Sequence, residues 1–184
     1  MNLANKISIG RIILIPFFIA AIVYARTDIA LVFFLLAVLS DGVDGFIART
    51  RNQKTKFGTI IDPLADKLLL MSAFICLAVT PNLPGHLKLP PYVPIIVISR
   101  DAMIVLGSVM IHIITGDVNI RPSIAGKITT FFQMMTIVSV LLQLRWAYAV
   151  WAIAVLLTVI SGVDYIIKGS RLLGENHVTA KRVP

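Results

Sequence analysis

Four aspartates are concentrated in one short stretch of the chain, residues 41–67, which reads DGVDGFIARTRNQKTKFGTIIDPLADK. Positions three, four, seven and eight apart share one face of a helix. The first half of the stretch has that spacing, and its members are Asp41, Asp44, Gly45, Ala48 and Arg49. The second half has a spacing of four and consists of Gly58, Asp62 and Asp66. Two helices that turn these faces toward each other would form a pocket of four carboxylates, small residues and one arginine.

Carboxylates gathered in this way are suited to binding divalent cations. Hard ions such as Mg²⁺ prefer carboxylate oxygens and water, and two ions roughly 3.5–4 Å apart can clamp the attacking and leaving oxygens of a displacement at phosphorus. The chain has one cysteine, Cys76, and lacks a Cys/His cluster, which argues against zinc. We therefore expect Mg²⁺ or Mn²⁺ here, and two such ions if the reaction is a displacement at phosphorus. The alternative, that the acids are only helix-end or ion-pair residues, explains a single aspartate better than four at this spacing.

Apolar segments surround the four aspartates. The 184 residues are 58% hydrophobic and only 14% charged, which is typical of a polytopic membrane protein. A bilayer-spanning helix needs roughly 20 mostly apolar residues. Six stretches qualify, and they run approximately over Ile7–Tyr24, Ile29–Arg49, Gly58–Val79, Val93–Ile114, Ile124–Leu144 and Trp146–Ile167. The sequence thus predicts an all-α bundle of six transmembrane helices in a single domain, residues 1–184, with a polar tail from about residue 174.

The connections between these segments carry ordinary turn signals. Prolines and a glycine make Pro81–Pro91 a loop, Gly116–Pro122 is a second loop, and the neighbourhood of Arg145 is predicted to be a tight hairpin. Small residues recur at Gly107–Ser108 and at Ser161–Gly162, which is typical of helix packing either within a bundle or between subunits.

The basic residues predict the orientation in the membrane. The net charge is +8, from 17 Lys and Arg against 9 Asp and Glu. If both termini are cytoplasmic, thirteen of the 17 basic residues lie on the cytoplasmic side, three lie outside and Arg100 lies within the membrane. Such a bias follows the positive-inside rule. The excess of positive charge is thus better explained by the membrane than by nucleic acid, and the aspartates are expected at the cytoplasmic face of a cell (inner) membrane.

The spacing Asp41-x-x-Asp44-Gly45-x-x-Ala48-Arg49, eight residues, Gly58-x-x-x-Asp62-x-x-x-Asp66 resembles the signature of the CDP-alcohol phosphotransferases. The resemblance implies an integral membrane enzyme, which displaces CMP from a CDP-linked lipid with the hydroxyl of a second alcohol. It also implies a homodimer, with CDP-diacylglycerol and the lipid bilayer as partners.

The resemblance further implies a role for each residue of the signature. Asp41, Asp44 and Asp62 are expected to be metal ligands, and Asp66 to be a ligand that also accepts the proton of the acceptor hydroxyl. The small residues are expected to leave room for the cytidine diphosphate. Hydrogen bonds to its phosphates are expected from two longer side chains. The residues expected to bind the CDP-lipid are Gly45, Ala48, Arg49, Thr55 and Gly58.

Arg100 and Lys127 are the candidates for binding a phosphorylated acceptor. For Arg100, an ion pair with Asp101 is an equally good explanation, whereas Asp164 is expected to form a structural pair. The first expectation for the acceptor is glycerol 3-phosphate, and the second is phosphatidylglycerol, used by the cardiolipin-forming branch. Inositol phosphate and serine stay open as further acceptors. A different class of protein, a divalent-cation carrier, would use the aspartates as a transit site and would need no nucleotide pocket.

Overall fold

The computed structural model of the protein describes the backbone of residues 3–50, 56–81, 88–115 and 124–180, and the side chains of residues 9–40, 64–81, 88–107 and 124–170. Within these ranges the chain forms six α-helices and no strand, so the prediction of an all-α fold is confirmed. The helices are α1 (Leu3–Val23), α2 (Thr27–Thr50), α3 (Lys56–Val79), α4 (Tyr92–Thr115), α5 (Ile124–Leu141) and α6 (Ala147–Ala180).

Local sequence explains where several helices begin and end. Helix α3 ends at Val79 because Thr80 precedes Pro81, and the residue before a proline is disfavoured in helical conformation. Helix α4 begins directly after a proline pair, and Pro94 lies in its first turn, where a missing amide hydrogen costs no helical bond. These limits agree with the apolar segments to within a few residues.

Helix α6 is the one that departs most from its predicted length. It runs from Ala147 to Ala180, so it continues into the segment predicted to be a polar tail. At 1.5 Å per residue its 34 residues extend for about 51 Å, well beyond the roughly 30 Å of a hydrocarbon core. The apolar segment therefore ends near Ile167 although the helix continues to Ala180, since a helix does not require a membrane around it.

Two tight turns of the same kind connect α1 to α2 and α5 to α6. Ala25 and Gln143 adopt left-handed backbone conformations, with φ of 57° and 54°. In each turn the following amide donates to a carbonyl five residues earlier, Arg26 to Ala21 at 2.8 Å and Leu144 to Ser139 at 3.0 Å. This is the hydrogen bond that closes a helix in the Schellman motif. The second turn is the hairpin predicted near Arg145, which is thereby confirmed.

The main apolar core lies where α1, α2 and α3 meet. Helix α1 packs against both α2 and α3, and α3 in turn contacts α4 and α5. Phe18, Phe34 and Phe74, one from each of the first three helices, are completely or almost completely buried. Cys76 packs at the edge of this core, as expected for a small apolar residue. The second group of contacts joins α6 to α4 and α5.

Much of the outer surface is apolar. In the described part of the chain, α5 over Ile124–Leu141 and α6 over Ala147–Ser170 are long and apolar enough to cross a membrane. Two shorter apolar stretches lie in α1 and α2, at Ile9–Val23 and Thr27–Ser40. Large apolar side chains such as Leu39, Leu106 and Leu156 are more than half exposed. A surface of this kind suits contact with lipid, where exposed apolar side chains carry no cost.

Glycines of α4 and α6 pack against larger side chains of the opposite helix inside the bundle. A side chain at Gly107 would approach the ring of Tyr165 to within 2.8 Å, so this ring packs directly on α4 there. The hydroxyl of Tyr165 donates to the carbonyl of Ile104 at 3.0 Å. Gly162 faces the aliphatic part of Arg100. Of the two interfaces left open by the sequence, the one within the bundle is therefore formed at Gly107 and Gly162.

Candidate active site

The aspartate signature is divided between two consecutive helices. Asp41, Asp44, Gly45, Ala48 and Arg49 belong to the last three turns of α2, and Gly58 and Asp62 belong to the first turns of α3. The helical conformation required by their spacing is therefore present. Thr55 lies outside the described residues, and the predicted pocket lies outside them too, because Asp66 is the one aspartate of the four whose side chain is described.

Asp66 continues the buried stripe of α3. Leu70 and Ala73, four and seven positions further along the helix, are both fully buried, and residues at these spacings share a face. Asp66 itself is half-buried. Its position on the inward face of the helix is where a functional carboxylate of a membrane bundle is expected, because ionisable groups in such proteins face the interior or a polar cavity.

An ion cluster begins at the residue that follows Asp66. Lys67 Nζ donates to Asp101 Oδ2 at 2.5 Å, and Arg100 Nη1 donates to Asp101 Oδ1 at 2.7 Å. Arg100 Nη2 also donates to Ser161 Oγ at 2.5 Å. We call these four residues the Asp101 cluster. It connects α3, α4 and α6, and it puts a guanidinium and an ammonium close to the end of the signature.

The two candidates for binding the acceptor have different surroundings. The Arg100 side chain is only 7% exposed and is paired with Asp101, so the ion pair considered from the sequence is formed. Lys127 lies in the first turn of α5 and is exposed. The pair predicted for Asp164 is also confirmed, since Lys168 Nζ donates to Asp164 Oδ2 at 2.7 Å one turn along α6.

Sequence reasoning missed two buried or half-buried cations. The sequence predicts Lys67 only as one of the basic residues on the cytoplasmic side, although its position directly after Asp66 places it beside the signature. Arg11 is predicted in the same way, but it is 1% exposed on α1, which packs against α3. A buried arginine in a membrane bundle is costly and usually functional. No hydropathy pattern distinguishes it from an arginine at the membrane surface.

The donor chemistry of the signature fits divalent metal ions. The four aspartates contribute carboxylate oxygens alone, which hard ions prefer. They lie on α2 and α3, the two helices that flank the short connection of residues 51–55. Among the residues whose side chains the structure describes, no group of three or more Asp, Glu, His or Cys could hold a metal. The signature, three of whose aspartates lie outside those residues, is therefore a candidate metal site by its sequence.

Comparison with known proteins identifies the family. The model of the CDP-alcohol phosphatidyltransferase family matches residues 1–160. The chain belongs to the CDP-alcohol phosphatidyltransferase family. Residues 41–67 lie well inside the matched region, so this phosphatidyltransferase carries the whole signature of four aspartates within its family domain.

Similar proteins cover nearly the full length of the phosphatidyltransferase. A probable phosphatidylglycerophosphate synthase of Mycobacterium tuberculosis H37Rv is 34% identical, over 97% of this chain and 87% of its own length. A CDP-diacylglycerol--glycerol-3-phosphate 3-phosphatidyltransferase of Aquifex aeolicus is 33% identical, over 94% of this chain and 98% of its own. Human cardiolipin synthase (CMP-forming) is 27% identical, over 83% of this chain and 58% of its own.

Family membership decides between the two classes of protein considered from the sequence. The family consists of transferases, so the protein is an enzyme of phospholipid biosynthesis. A divalent-cation carrier would need a route for the ion across the bilayer, and it would have no use for the nucleotide-binding part of the signature. The carrier hypothesis is therefore set aside.

Proposed function

We propose that this enzyme transfers the phosphatidyl group of CDP-diacylglycerol to glycerol 3-phosphate, giving phosphatidylglycerophosphate and CMP. The observation that carries the proposal is the similarity to relatives named for this reaction, at 33–34% identity over 94% of the chain or more. The complete aspartate signature on α2 and α3 supports the same reaction type, because a displacement at phosphorus needs stabilisation of charge on several oxygens.

The chemistry assigns a task to each group of residues. The acceptor hydroxyl attacks the phosphorus next to the diacylglycerol, and CMP departs with the electrons of the broken anhydride bond. Asp66 accepts the hydroxyl proton. Mg²⁺ or Mn²⁺, when bound, supplies positive charge next to the phosphate oxygens. Carboxylates of Asp41, Asp44, Asp62 and Asp66 would hold two such ions.

The remaining residues of the signature bind the CDP-lipid. Gly45, Ala48 and Gly58 leave space, because a glycine or alanine allows a ligand to approach the helix backbone closely. Arg49 offers a planar pair of donors to phosphate oxygens, and Thr55 offers a hydroxyl. Catalysis of this type depends mostly on positioning and on electrostatic stabilisation.

The phosphate of the acceptor is bound by Lys127 and Arg100 in this proposal. Glycerol 3-phosphate carries negative charge and must lie beside a negatively charged CDP-lipid. The Asp101 cluster contains two cations and one carboxylate, so it keeps one net positive charge near Asp66. Lys127 is exposed and can reach a soluble molecule.

We also propose that all six helices span the inner membrane, with both termini and the active site at the cytoplasmic side. The distribution of Lys and Arg supports this orientation. Cysteine labelling at His86 and Thr179, in a Cys76→Ala background, tests it in sealed vesicles. Labelling of both positions from the same side would exclude the arrangement. A homodimer stays a prediction, which light scattering of the purified enzyme in detergent would test.

An acceptor panel tests the proposed reaction. The purified enzyme is given CDP-diacylglycerol with either glycerol 3-phosphate or phosphatidylglycerol, and CMP and the lipid product are measured with and without a metal chelator. We expect CMP and phosphatidylglycerophosphate with glycerol 3-phosphate, loss of turnover with the chelator, and recovery with Mg²⁺ or Mn²⁺ but poorly with Zn²⁺.

The main competing function is cardiolipin synthesis. The similarity to human cardiolipin synthase (CMP-forming) is the observation that favours it, although the identity and the coverage are lower. If the enzyme makes cardiolipin from phosphatidylglycerol and ignores glycerol 3-phosphate, the proposed acceptor is wrong. Turnover that continues in metal-free buffer with chelator would contradict the role of the two ions.

A further inference from the structure

The Asp101 cluster joins the end of the aspartate signature to two helices that carry none of it. Lys67 lies on α3, Asp101 and Arg100 on α4, and Ser161 on α6. The three hydrogen bonds that connect them are between 2.5 and 2.7 Å long. All three have a lysine or arginine as donor, so they are charge-assisted hydrogen bonds, which are shorter and stronger than neutral ones.

Asp101 is the centre of this cluster. Its side chain is 3% exposed, and its two oxygens are used separately, Oδ1 by Arg100 and Oδ2 by Lys67. A buried carboxylate requires such partners, because a charge removed from water without a partner is very costly. Arg100 and Ser161 are also buried, whereas the Lys67 side chain is 27% exposed. Lys67 is therefore the part of the cluster that borders the site.

The bond from Lys67 to Asp101 restrains α3 near its catalytic end. Lys67 follows Asp66 directly and comes five positions after Asp62. A side chain of α3 that is held on α4 limits how far α3 can rotate about its own axis or slide along it. Either movement would displace every carboxylate of that helix together. A metal site tolerates such displacement poorly, since ligands must be held to within about 0.5 Å.

We propose that Asp101 is a positioning residue of the metal site: by binding Lys67 and Arg100 on its two oxygens, it fixes the rotation and height of α3 that bring Asp62 and Asp66 to the metal ions. The inference rests on the proposed function, because it assumes that the signature binds metal. It assigns to Asp101 a task separate from ligation and from contact with either substrate.

The experiment compares Asp101→Asn, Asp101→Glu and the wild-type enzyme as purified full-length proteins. Binding of Mn²⁺ is measured without any substrate, from the electron paramagnetic resonance signal of free Mn²⁺. Melting temperature, kcat and the KM values for both substrates are measured in parallel. Asp164→Asn is the matched control, because Asp164 forms a lysine pair of similar length, 2.7 Å against 2.5 Å, but on the more exposed surface of α6.

We expect Asp101→Asn to weaken Mn²⁺ binding by about ten- to hundredfold, the usual effect of removing a residue that orients metal ligands. Asp101→Glu keeps a carboxylate and should recover most of the affinity. Asp164→Asn should leave Mn²⁺ binding unchanged. A residue that only stabilised the fold would lower the melting temperature and the amount of active enzyme, but each folded molecule would still bind Mn²⁺ normally.

Unchanged Mn²⁺ affinity in folded Asp101→Asn protein overturns the inference. If Asp101→Asn does not fold, Lys67→Gln decides by the same measurement, because it removes the bond to α3 and leaves the pair of Arg100 and Asp101 intact. The proposed function fails in a different way. It fails if the wild type binds Mn²⁺ but releases no CMP from CDP-diacylglycerol with either acceptor, a result that leaves the comparison of Mn²⁺ affinities valid.

Discussion

The two halves of the molecule, α1 to α3 and α4 to α6, differ in the side chains that hold their helices together. Where α1, α2 and α3 meet, the contacts are predominantly apolar and include Phe18, Phe34 and Phe74. Around α6 they also include several hydrogen-bonded polar side chains. Gln133 Nε2 donates to Thr158 Oγ1 at 3.2 Å, and Thr129 Oγ1 donates to the carbonyl of Leu157 at 3.1 Å. The aspartates of the signature lie on the first half, and the Asp101 cluster connects it to the second.

The difference follows from what can hold helices together in lipid. Lipid tails are as apolar as leucine, so apolar side chains contribute through close packing and not through escape from water. Polar side chains add interhelical bonds of about 0.6 kcal/mol on average, and they also fix the register of the helices. Close apolar packing holds α2 and α3, which carry the aspartates, and hydrogen bonds between helices add to the packing of α4, α5 and α6. We infer that the two halves contribute differently to the reaction, the first to the chemical step and the second to positioning and acceptor binding.

The largest effect expected from any single change concerns Asp66, in the first half. In the proposed mechanism, Asp66→Asn removes both the proton acceptor and one metal ligand with almost no change of shape. General-base catalysis alone contributes about 10²–10⁴-fold, so CMP release should fall at least that far. The measurement is kcat of the purified variant with saturating CDP-diacylglycerol and acceptor. Normal turnover by the folded Asp66→Asn enzyme would show that the signature does not carry the reaction.

Much of the fold could be predicted because hydropathy and helix length follow directly from the bilayer. All six helices were predicted, and the limits of α2 and α4 differ from the predicted ones by no more than two residues. The end of α6 was not, because an apolar run marks what lies in lipid and not where the helix stops. The last turns of α6 contain no proline, so the polar residues there remain helical as far as Ala180.

The signature could be predicted from spacing, whereas the partners of its neighbours could not. Spacing along one helix tells which residues share a face, but Lys67 and Asp101 are 34 positions apart and meet only through the packing of α3 on α4. For the same reason the sequence left two roles open for Arg100, an ion pair with Asp101 and binding of the acceptor. Its pair with Asp101 was visible as a sequence neighbour, but its bond to Ser161, 61 positions away, was not.

A smaller effect is expected in the second half, from Arg100 and Lys127. Each charge-assisted bond to a phosphate contributes about 1.5–3 kcal/mol. Losing one should therefore raise the acceptor KM by about ten- to hundredfold, with much less change in the KM for CDP-diacylglycerol. Lys127→Ala should do this without lowering the melting temperature, since Lys127 is exposed. Arg100→Ala should also lower it, because it breaks the bonds to Asp101 and Ser161.

Lys168→Ala is the matched control for this comparison. Lys168 is an exposed lysine like Lys127, but its charge is used one turn away by Asp164 on α6. Its removal should leave both KM values unchanged. It should also cost little stability, since an exposed pair of this kind contributes only about 0.3–0.5 kcal/mol to the free energy of unfolding. If Lys127→Ala behaves like Lys168→Ala, then Lys127 does not bind the acceptor. The two cations of the Asp101 cluster, Lys67 and Arg100, would then become the main candidates for the positive charge that the phosphate requires.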